Sequence, residues 1–486
     1  MAKTNFNKND LGYKNYQNKR IAHWDQIAKH SNKWKGCGGY YHKRLQDVLQ
    51  FVVPPGQLII DIGCGQGDLL SSMKPTYGVG VDFSANIIER AQKRYPSLHF
   101  IQADAHELDP DPQTKFDFVI LSDLVNDLWD VQSVLQNIRS FTTPKSRIII
   151  TFYSRLWEFP LWIVKKLWLA KPSLFQNWLT VEDLAGLLSL TDFEVIRNWD
   201  EMIWPMRTPV IHTLLNRFVA KIWPFKIFAL THVIVAKPCA NNVVLPSAPK
   251  VSVIVPARNE AGNIARIFAA VPEMGCGTEL IFVEGHSTDD TYSTIENTIN
   301  ANPHRPSQLL RQEGKGKGDA VRLGFKHATG DILMILDADL TVPPEDLPRF
   351  YEVLVSGKAE FVNGVRLVYP MEKEAMRFFN IMGNKFFSLA FSWLLGQPIK
   401  DTLCGTKVLW KADYERIAAN RSYFGDFDPF GDFDLLFGAA KLNLKICEVP
   451  IRYRERTYGT TNIQRWKHGW LLLRMVCFAA GKIKFV

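Results

Sequence analysis

Two successive series of short apolar segments, each ending in a turn rich in glycine or acidic residues, constrain this fold most strongly. The first series starts at LIIDIGCGQGDLL (58–70) and continues through YGVGVDF, LHFIQADA, FDFVILSD and RIIITFY. The second starts at VSVIVPARNE (251–260) and continues through LIFVEGHS, DILMILDADL and FVNGVRL. Short apolar strands that alternate with helix-compatible segments are typical of a parallel sheet with helices on both faces. We therefore predict an α/β protein with two domains.

A polar, proline-bearing stretch, Cys239–Lys250, separates the two series and predicts a linker. We expect a basic N-terminal tail over residues 1–35, a first domain over 36–238 and a second over 251–464. Residues 465–486 form a basic, aromatic C-terminal segment. The 486 residues suit two domains of about 240 residues each.

The net charge of +9 resides mainly at the two ends of the chain. Residues 1–60 contain ten Lys or Arg and three Asp, and residues 447–486 contain eight Lys or Arg and two Glu. Two basic ends around an acidic middle do not form one nucleic-acid groove, so we expect no nucleic-acid partner. Residues 154–171, 216–228 and 465–486 mix aromatic and basic side chains. They are compatible with helices at a membrane surface, and the first two equally with core packing around snorkelling lysines.

The cysteines and the apolar stretches indicate where in the cell the protein is located. Seven scattered cysteines without a C-x-x-C pair argue against a zinc cluster or a disulfide framework. The basic N-terminus has no apolar run behind it, so we expect no secretory signal. The longest charge-free apolar stretch, 386–399, is shorter than the ~20 residues of a membrane-spanning helix. We predict a cytoplasmic protein without transmembrane helices, lying on the inner face of the membrane.

The first glycine-rich turn, DIGCGQG (61–67), follows an apolar strand. Asp82 ends the next strand, where a carboxylate can accept both ribose hydroxyls, and Asp104 follows a third strand, placed to receive an adenine amino group. A dinucleotide site has the pattern G-x-G-x-x-G, with a pyrophosphate at the helix N-terminus. Here an acid opens the loop instead, which suits a ligand with an ammonium group and no phosphate.

Over roughly residues 40–238 the chain resembles the class I S-adenosylmethionine-dependent methyltransferases. The resemblance implies a Rossmann-like sheet in which Gly63 and Gly65 pack on the methyl donor S-adenosylmethionine, with Asp61 near its amino acid part. It also implies that Asp82 binds the ribose and Asp104 the adenine. The other implied binding residues are Phe83, Ala105 and Ser122.

The methyl acceptor is expected near Asp123, Asn126 and Asp127, which follow the strand FDFVILS. Methyl transfer is a direct displacement, so orientation of the acceptor can suffice without a base. Whether Asp123 or Asp127 acts as a base stays open at this point, as does the acceptor, a glycan or a lipid-linked molecule.

The second series carries acids and cations at its strand ends. The loop GKGKGDAVRLGF supplies Lys315, Lys317 and Arg322, which suit a diphosphate. The strand DILMIL runs into Asp337-Ala338-Asp339. Two carboxylates that straddle a strand end can hold one divalent cation, which in turn bridges a diphosphate.

Over residues 250–466 the chain resembles the family 2 glycosyltransferases of the GT-A fold, most closely the dolichyl-phosphate mannose synthase and polyprenyl-phosphate sugar transferase branch. The resemblance implies a nucleotide-sugar donor, with Mg²⁺ or Mn²⁺ bound by Asp337 and Asp339. The residues implied to line the donor site are Pro256, Arg258, Glu260, Val283, Glu284, Lys317, Ala338, Thr341, Arg366, Lys407 and Arg456. Asp339 and Asp401 are the implied catalytic residues.

Three positions depart from the pattern of this branch. Glu284-Gly285 stands where many members have two aspartates, Lys407 where they often have arginine, and Asn462 where synthases commonly have lysine. The implied reaction is an inverting displacement at the anomeric carbon. A lipid phosphate acceptor needs no base, whereas a hydroxyl acceptor requires one. Asp401 is the favoured base, and Asp432 and Asp434 are the alternatives.

Together the two resemblances imply a bifunctional enzyme that rests on the membrane surface. It would transfer a sugar to a polyprenyl phosphate and a methyl group from S-adenosylmethionine. One alternative is a glycosyltransferase that uses a soluble, protein or glycan hydroxyl. Another is a membrane- or RNA-docking protein in which one domain is catalytically dead.

Overall fold

The computed structural model describes residues 10–29, 37–108, 114–166, 174–240, 247–366, 368, 378–423, 433–454, 456, 458 and 465–486. The chain divides into two compact units. The first comprises residues 1–239 with 485–486, and the second comprises residues 240–484. Each unit has one seven-stranded sheet, so the predicted α/β fold with two domains is confirmed.

The sheet of the first unit has the order β3-β2-β1-β4-β5-β7-β6. Its strands are β1 (Leu58–Ile62), β2 (Tyr77–Asp82), β3 (His99–Gln102), β4 (Phe118–Ser122), β5 (Arg147–Tyr153), β6 (Phe193–Glu201) and β7 (Thr231–Pro238). Strands β1 to β5 pair in parallel, and β7 runs antiparallel to both β5 and β6. The strand order therefore reverses between β1 and β4, where a crevice opens at the carboxyl ends of parallel strands.

The helices of the first unit are α1 (Leu11–Lys29), α2 (Cys37–Val52), α3 (Asp68–Ser72), α4 (Ala85–Arg94), α5 (Val131–Arg139), α6 (Glu158–Lys166), α7 (Val181–Leu190) and the single turn α8 (Ile211–Thr213). Side-chain caps start several of them. The Ser84 hydroxyl accepts a hydrogen bond from the Ile87 amide at the start of α4, and Thr180 and Asp183 form a capping box at the start of α7.

Helix α1 corrects one expectation. Residues 1–35 were predicted to be a basic tail, and for 11–29 this is wrong, because they form a helix that packs on the first unit. Tyr13 is 2% exposed, and the Arg20 guanidinium lies 2.8 Å from the Asp127 carboxylate. Residues 1–9 and 30–36 lie outside the described residues.

The second sheet has the order β10-β9-β8-β11-β13-β12-β14. Its strands are β8 (Val251–Ala257), β9 (Thr278–Glu284), β10 (Ser307–Arg311), β11 (Ile332–Ile335), β12 (Phe361–Val365), β13 (Lys407–Trp410) and β14 (Ile446–Pro450). Strand β13 runs antiparallel to β11 and β12, and all other neighbours are parallel. The order reverses between β8 and β11, which again opens a crevice at the carboxyl ends.

The helices of the second unit are α9 (Ile264–Ala270), α10 (Thr291–Ala301), α11 (Lys317–His327), α12 (Leu347–Val355), α13 (Phe378–Leu395), α14 (Lys411–Ala419), α15 (Phe433–Lys441) and α16 (Arg465–Ala479). Helix α16 buries Leu472, Met475 and Ala479 on one face and exposes Trp470 on another. Within the ranges that the structure describes, no helix has the length and hydropathy to cross a membrane.

The turn before β9 provides a test of the fold of the second unit. Gly275 has a φ of +61°, and a Cβ there would lie 1.8 Å from the Pro249 carbonyl oxygen. We expect Gly275→Ala to lower the melting temperature of the second unit by roughly 6–12 °C, from about 3 kcal/mol of strain. Gly186→Ala in α7, where a Cβ meets no atom within 4 Å, is the control and should not destabilise. Calorimetry that finds no loss for Gly275→Ala would contradict this packing.

Candidate functional site

The first site forms where β1, β2 and β3 end at the same edge of the sheet. Asp61 lies in β1, Asp82 ends β2 and Asp104 follows β3. The turn after β1 folds back on β2, because the Gly63 and Cys64 amides donate to the Val81 carbonyl oxygen at 2.8 and 3.0 Å. The three predicted carboxylates thus lie at the same edge of the sheet.

Glycine is required in this turn for the backbone conformation. Gly63, Gly65 and Gly67 have φ values of +78°, +54° and +78°. These values lie in the left-handed region that side chains disfavour. A Cβ on Gly65 would meet no protein atom within 4 Å, so the chain leaves open space at this point of the turn.

Asp61 is 1% exposed, and neither of its carboxylate oxygens has a hydrogen-bond partner among the described residues. Burial, with a smaller effect from Asp82, raises the pKa of Asp61 to about 7. A buried carboxylate without a partner is costly, and a cationic ligand would relieve that cost. The residue thus fits the ammonium group of S-adenosylmethionine.

Asp82 and Asp104 have partners. Asp82 accepts from the Ser84 and Gly65 amides at 3.0 and 3.2 Å, and burial raises its pKa to about 6. Burial alone would also raise the pKa of Asp104, but hydrogen bonds from the His106 side chain and amide outweigh it and lower the pKa to about 2. Asp104 therefore stays ionised at neutral pH.

The remaining implied donor-site residues lie at or just after the carboxyl ends of β2, β3 and β4. The Phe83 carbonyl accepts from the Gln102 amide at 3.4 Å, Ala105 is buried, and the Ser122 hydroxyl lies 3.2 Å from the Thr151 hydroxyl.

Helix α1 brings residues to this site that the sequence analysis missed. The Gln17 side-chain amide donates to Asp104 at 2.8 Å, and the Ser84 hydroxyl donates to Asp25. Arg20 pairs with Asp127 and also donates to the Phe175 carbonyl at 2.5 Å. The signal was present in the chain, since Tyr13, Gln17, Arg20 and Trp24 recur every three or four residues, as on one face of a helix.

On the acceptor side, Asp123 is the residue with the most distinctive environment. Its carboxylate accepts from the Tyr41 hydroxyl at 2.9 Å and from the Thr151 hydroxyl at 3.0 Å, and its φ is +56°. Burial raises its pKa to about 6, against the opposing effect of these hydroxyls. Asn126 instead holds backbone groups, because it donates to the Asn177 carbonyl and accepts from the Tyr153 amide.

The second site forms where β8, β9 and β11 end. Asp337 lies 2.7 Å from the Lys317 ammonium at the start of α11, and Asp339 lies 2.7 Å from the Arg456 guanidinium. Asp339 also accepts from the Thr341 amide and hydroxyl at 3.1 and 2.8 Å. Burial would raise the pKa of Asp337, but the nearby Lys317 outweighs it and lowers that pKa.

Gly405 approaches this pair closely. A Cβ on Gly405 would lie 2.0 Å from an Asp337 carboxylate oxygen and 2.3 Å from the Lys317 nitrogen. Lys407, in β13, is fully buried and donates to the Cys404 carbonyl oxygen at 2.5 Å and to Asn363 at 3.2 Å. Its charge also helps to lower the pKa of Asp337.

The nucleoside side of the site has a mixed environment. Pro256 and Val283 lie in β8 and β9, Ala338 is buried between the two aspartates, and Arg258 is exposed. Glu284 accepts from the Ser287 amide. Burial raises the pKa of Glu260 to about 7, although Arg456 lies 3.6 Å away and opposes the shift.

Asp401 is buried and ion-paired, unlike a carboxylate that is free to act as a base. It is 1% exposed, and its two oxygens accept from the Arg366 guanidinium at 2.7 and 2.8 Å, with a third bond from the Arg366 amide at 3.1 Å. Burial would raise the pKa of Asp401, but Arg366 outweighs it and lowers that pKa. This arrangement favours a positioning role over that of the base.

The other predicted positions contribute little to this geometry. Asp434 pairs with Arg421 at 2.7 Å, and Asp432 and Asn462 lie outside the described residues. Among the residues that the structure describes, no three His, Cys, Asp or Glu cluster in a way that could hold a metal ion. Asp337 and Asp339 could contribute two carboxylates to a cation whose other ligands come from a diphosphate and water.

Two family models match separate parts of the chain. Residues 252–410 match the family described as glycosyl transferase family 2, and residues 55–187 match a methyltransferase domain. The chain joins a methyltransferase domain to a family 2 glycosyltransferase domain. The resemblances seen in the sequence are therefore confirmed.

Curated relatives are similar over part of their length. The chain is 29% identical to the dolichol-phosphate mannosyltransferase of Pyrococcus furiosus over 220 residues, 44% of this chain and 59% of that protein. It is 33% identical to the undecaprenyl-phosphate 4-deoxy-4-formamido-L-arabinose transferase of Sodalis glossinidius over 108 residues, 21% of this chain and 33% of that protein. The chain thus spans at most about three fifths of these relatives.

Among solved structures, the chain is similar to the magnesium protoporphyrin IX methyltransferase of Synechocystis with bound SAH. The TM-score is 0.29 and the identity 18%, over 40% of this chain and 83% of that one.

Asp61→Asn tests the methyltransferase site. An ammonium group binds the carboxylate and not the protonated acid, so the affinity for S-adenosylmethionine should fall as the pH drops below about 7, by up to about tenfold per unit. Above pH ~7 the variant should bind S-adenosylmethionine at least about tenfold more weakly than the wild type. The loss of affinity near pH ~7 should be absent from the variant, whereas the loss near pH ~6, where Asp82 titrates, should remain.

Calorimetric titration with S-adenosylmethionine across this pH range measures both effects. Asp47→Asn, at an exposed ion pair on α2, is the matched control and should bind like the wild type. An Asp61→Asn profile that falls in parallel with the wild type would refute the assignment.

Asp401→Asn tests the glycosyltransferase site. Removing the carboxylate leaves Arg366 buried without its partner, which should destabilise this domain by about 3 kcal/mol or more. Glu345→Gln breaks a pair with Arg454 in which both side chains are about half exposed, and it should cost less than about 1 kcal/mol. Chemical unfolding measures both, and wild-type stability of Asp401→Asn would rule out the positioning role.

Proposed function

We propose that the protein is a bifunctional transferase. Its glycosyltransferase domain moves a sugar from a nucleotide sugar to a polyprenyl phosphate or another lipid-linked acceptor. Its methyltransferase domain moves a methyl group from S-adenosylmethionine to a glycan or lipid-linked acceptor. Support for the first activity comes from the two relatives, whose names specify dolichol phosphate and undecaprenyl phosphate.

The pairing of Asp401 with Arg366 is the observation that favours a lipid phosphate over a hydroxyl as the sugar acceptor. A hydroxyl acceptor must lose its proton to a base, whereas a phosphate oxygen is already anionic at neutral pH. Arg366 engages both oxygens of Asp401 and lowers its pKa, so this carboxylate is poorly suited to accept a proton. A phosphate acceptor needs no such group.

The cations around Asp337 and Asp339 support an anionic donor. The two carboxylates would hold Mg²⁺ or Mn²⁺, which supplies positive charge to the diphosphate when bound. Lys317 and Arg456 already lie beside them and are groups that pair with phosphate oxygens. In the proposed inverting reaction, the acceptor oxygen bonds to the anomeric carbon as the diphosphate leaves with the bonding electron pair.

The side chains of the methyltransferase site suit a cationic methyl donor and a methyl acceptor near Asp123. S-adenosylmethionine supplies a methyl group on a sulfonium, whose bonding electrons stay on sulfur when the methyl group leaves. Asp61 would bind the ammonium group of the donor. Asp123, with a pKa near 6, is able to accept a proton from the acceptor at neutral pH.

We propose a peripheral position on the inner face of the cytoplasmic membrane, since a polyprenyl chain cannot leave the bilayer. Exposed apolar side chains on α13 and α16 support this for the glycosyltransferase domain. They include Phe386, Leu389 and Trp470, which are 56%, 71% and 65% exposed.

Labelled nucleotide sugars incubated with protein and membrane lipid extract test the glycosyl transfer. We expect lipid-extractable label that disappears with a chelator and returns with Mg²⁺ or Mn²⁺. Asp339→Asn should reduce the rate by about a hundredfold or more, because it removes a charge at the diphosphate. The matched control is Glu296→Gln, at an exposed position of α10.

Two outcomes would contradict the proposal. Label that appears only in a soluble acceptor would rule out a lipid phosphate as the sugar acceptor. An Asp339→Asn variant that leaves the cellular function of the protein intact would favour a docking role for this domain.

A further inference from the structure

The chain between β6 and β7 of the methyltransferase domain exposes a continuous apolar loop. All seven residues 222–228 (IWPFKIF) are exposed. Trp223, Phe225 and Phe228 are 76%, 51% and 55% exposed, and Ile222 and Ile227 are nearly as open. Contiguous exposed apolar groups of this kind mark a surface that is covered by a partner.

Hydrogen bonds at both ends of this loop hold it in its exposed position. The Lys221 ammonium is buried, donates to the Asp200 carbonyl at 2.9 Å and pairs with Glu201. At the other end, the Trp157 indole nitrogen donates to the Phe228 carbonyl at 2.9 Å. The aromatic side chains are thus presented outward by a fixed backbone.

The contact through Trp157 joins the loop to a second exposed apolar group. Leu156, Phe159 and Trp162 are 62%, 67% and 55% exposed, and the rings of Phe159 and Trp162 stack at 6.0 Å. We call residues 222–228 together with Leu156, Phe159 and Trp162 the aromatic surface.

The charge around the aromatic surface is positive. Residues 203–230 contain four Lys or Arg and no Asp or Glu. Of these cations, Arg207, Arg217 and Lys226 are exposed. Lys166 lies 5.1 Å from the Trp162 ring. Exposed Trp and Phe bordered by cations match the interface of an anionic bilayer, where the rings enter the headgroup region and the cations meet lipid phosphates.

The aromatic surface is also linked to the acceptor side of the methyltransferase site. Trp157 packs with Tyr41, Tyr153 and Leu230 in one apolar cluster. Tyr41 donates to Asp123, and its ring lies 5.8 Å from that of Tyr153. The apolar cluster therefore contacts the exposed loop through Trp157 and the carboxylate nearest the expected acceptor through Tyr41.

We propose that the aromatic surface docks the methyltransferase domain on an anionic bilayer, and that the methyl acceptor is an amphiphile held in that bilayer. The second part rests on the proposed methyl transfer, whereas the docking does not. Docking would bring a headgroup to Asp123 while the apolar part of the acceptor stays in the membrane.

Hydrogen exchange of the full-length protein locates the docking. We expect phosphatidylcholine vesicles that contain phosphatidylglycerol to slow exchange over residues 206–228 by about tenfold, and pure phosphatidylcholine vesicles to do so less. Exchange over α7 should not change. Equal exchange over 206–228 with and without anionic vesicles overturns the proposal, even when the protein binds them elsewhere. Slow exchange that grows with protein concentration in the absence of vesicles also overturns it, in favour of a second copy.

A double variant, Trp223→Ser with Phe225→Ser, tests the surface itself. Both side chains are exposed, so the fold should persist, and the slowing over 206–228 should be lost. Leu190→Ser, at a 64% exposed apolar position at the end of α7, is the control and should dock like the wild type.

Labelled S-adenosylmethionine with native membranes tests the acceptor. We expect lipid-extractable label from the wild type and at least about tenfold less from the double variant, with unchanged donor affinity by calorimetry. Label confined to soluble molecules overturns the membrane-held acceptor. Failure of the proposed methyl transfer is recognised separately, because Asp61→Asn and the wild type would then bind S-adenosylmethionine equally weakly while docking persists.

Discussion

Parallel strands that end at one edge of a sheet are the constraint on which both sites depend. In each domain the strand order reverses once within the parallel part, between β1 and β4 and between β8 and β11. Crossovers on either side of that point leave a crevice, where the turns after neighbouring strands face each other. Acids separated by 20 residues or more in the chain therefore gather around one ligand-sized space.

The two crevices differ in how their carboxylates are balanced. In the methyltransferase domain, Asp61 is buried, has no hydrogen-bond partner among the residues that the structure describes, and has a raised pKa. A cationic ligand would neutralise its carboxylate. In the glycosyltransferase domain, Asp337 and Asp339 are each paired with a cation, which lowers the pKa of Asp337. One site is prepared for a positively charged ligand, and the other already contains the cations that an anionic ligand needs. Similar architecture thus forms two sites that suit ligands of opposite charge.

The sequence predicted what local rules determine. The glycine turn at 61–67 and the aspartates at the ends of β2, β3 and β11 follow from strand periodicity and turn chemistry, and the structure places them at strand ends. The sequence could not show that Asp401 pairs with Arg366, 35 residues away, because that pairing arises from the packing of β12 and its neighbours. Helix α1 was missed for a related reason. Its basic composition suggested a solvated tail, whereas Gln17 and Arg20 find carboxylates only in the folded domain.

The aromatic surface shows why composition alone could not decide between core and membrane contact for residues 216–228. Within this stretch Ala220 is fully buried, whereas Trp223 is largely exposed. What separates them is the anchoring of the backbone by Lys221 and Trp157, which fixes the side that faces outward. The charge count is similarly misleading, since a chain whose middle is acidic on average contains a cationic stretch at 203–230 without a single acid. Averaging over hundreds of residues conceals a local patch, and only the fold reveals that this patch borders exposed aromatic rings. Positive charge beside aromatic side chains is therefore not confined to the chain ends.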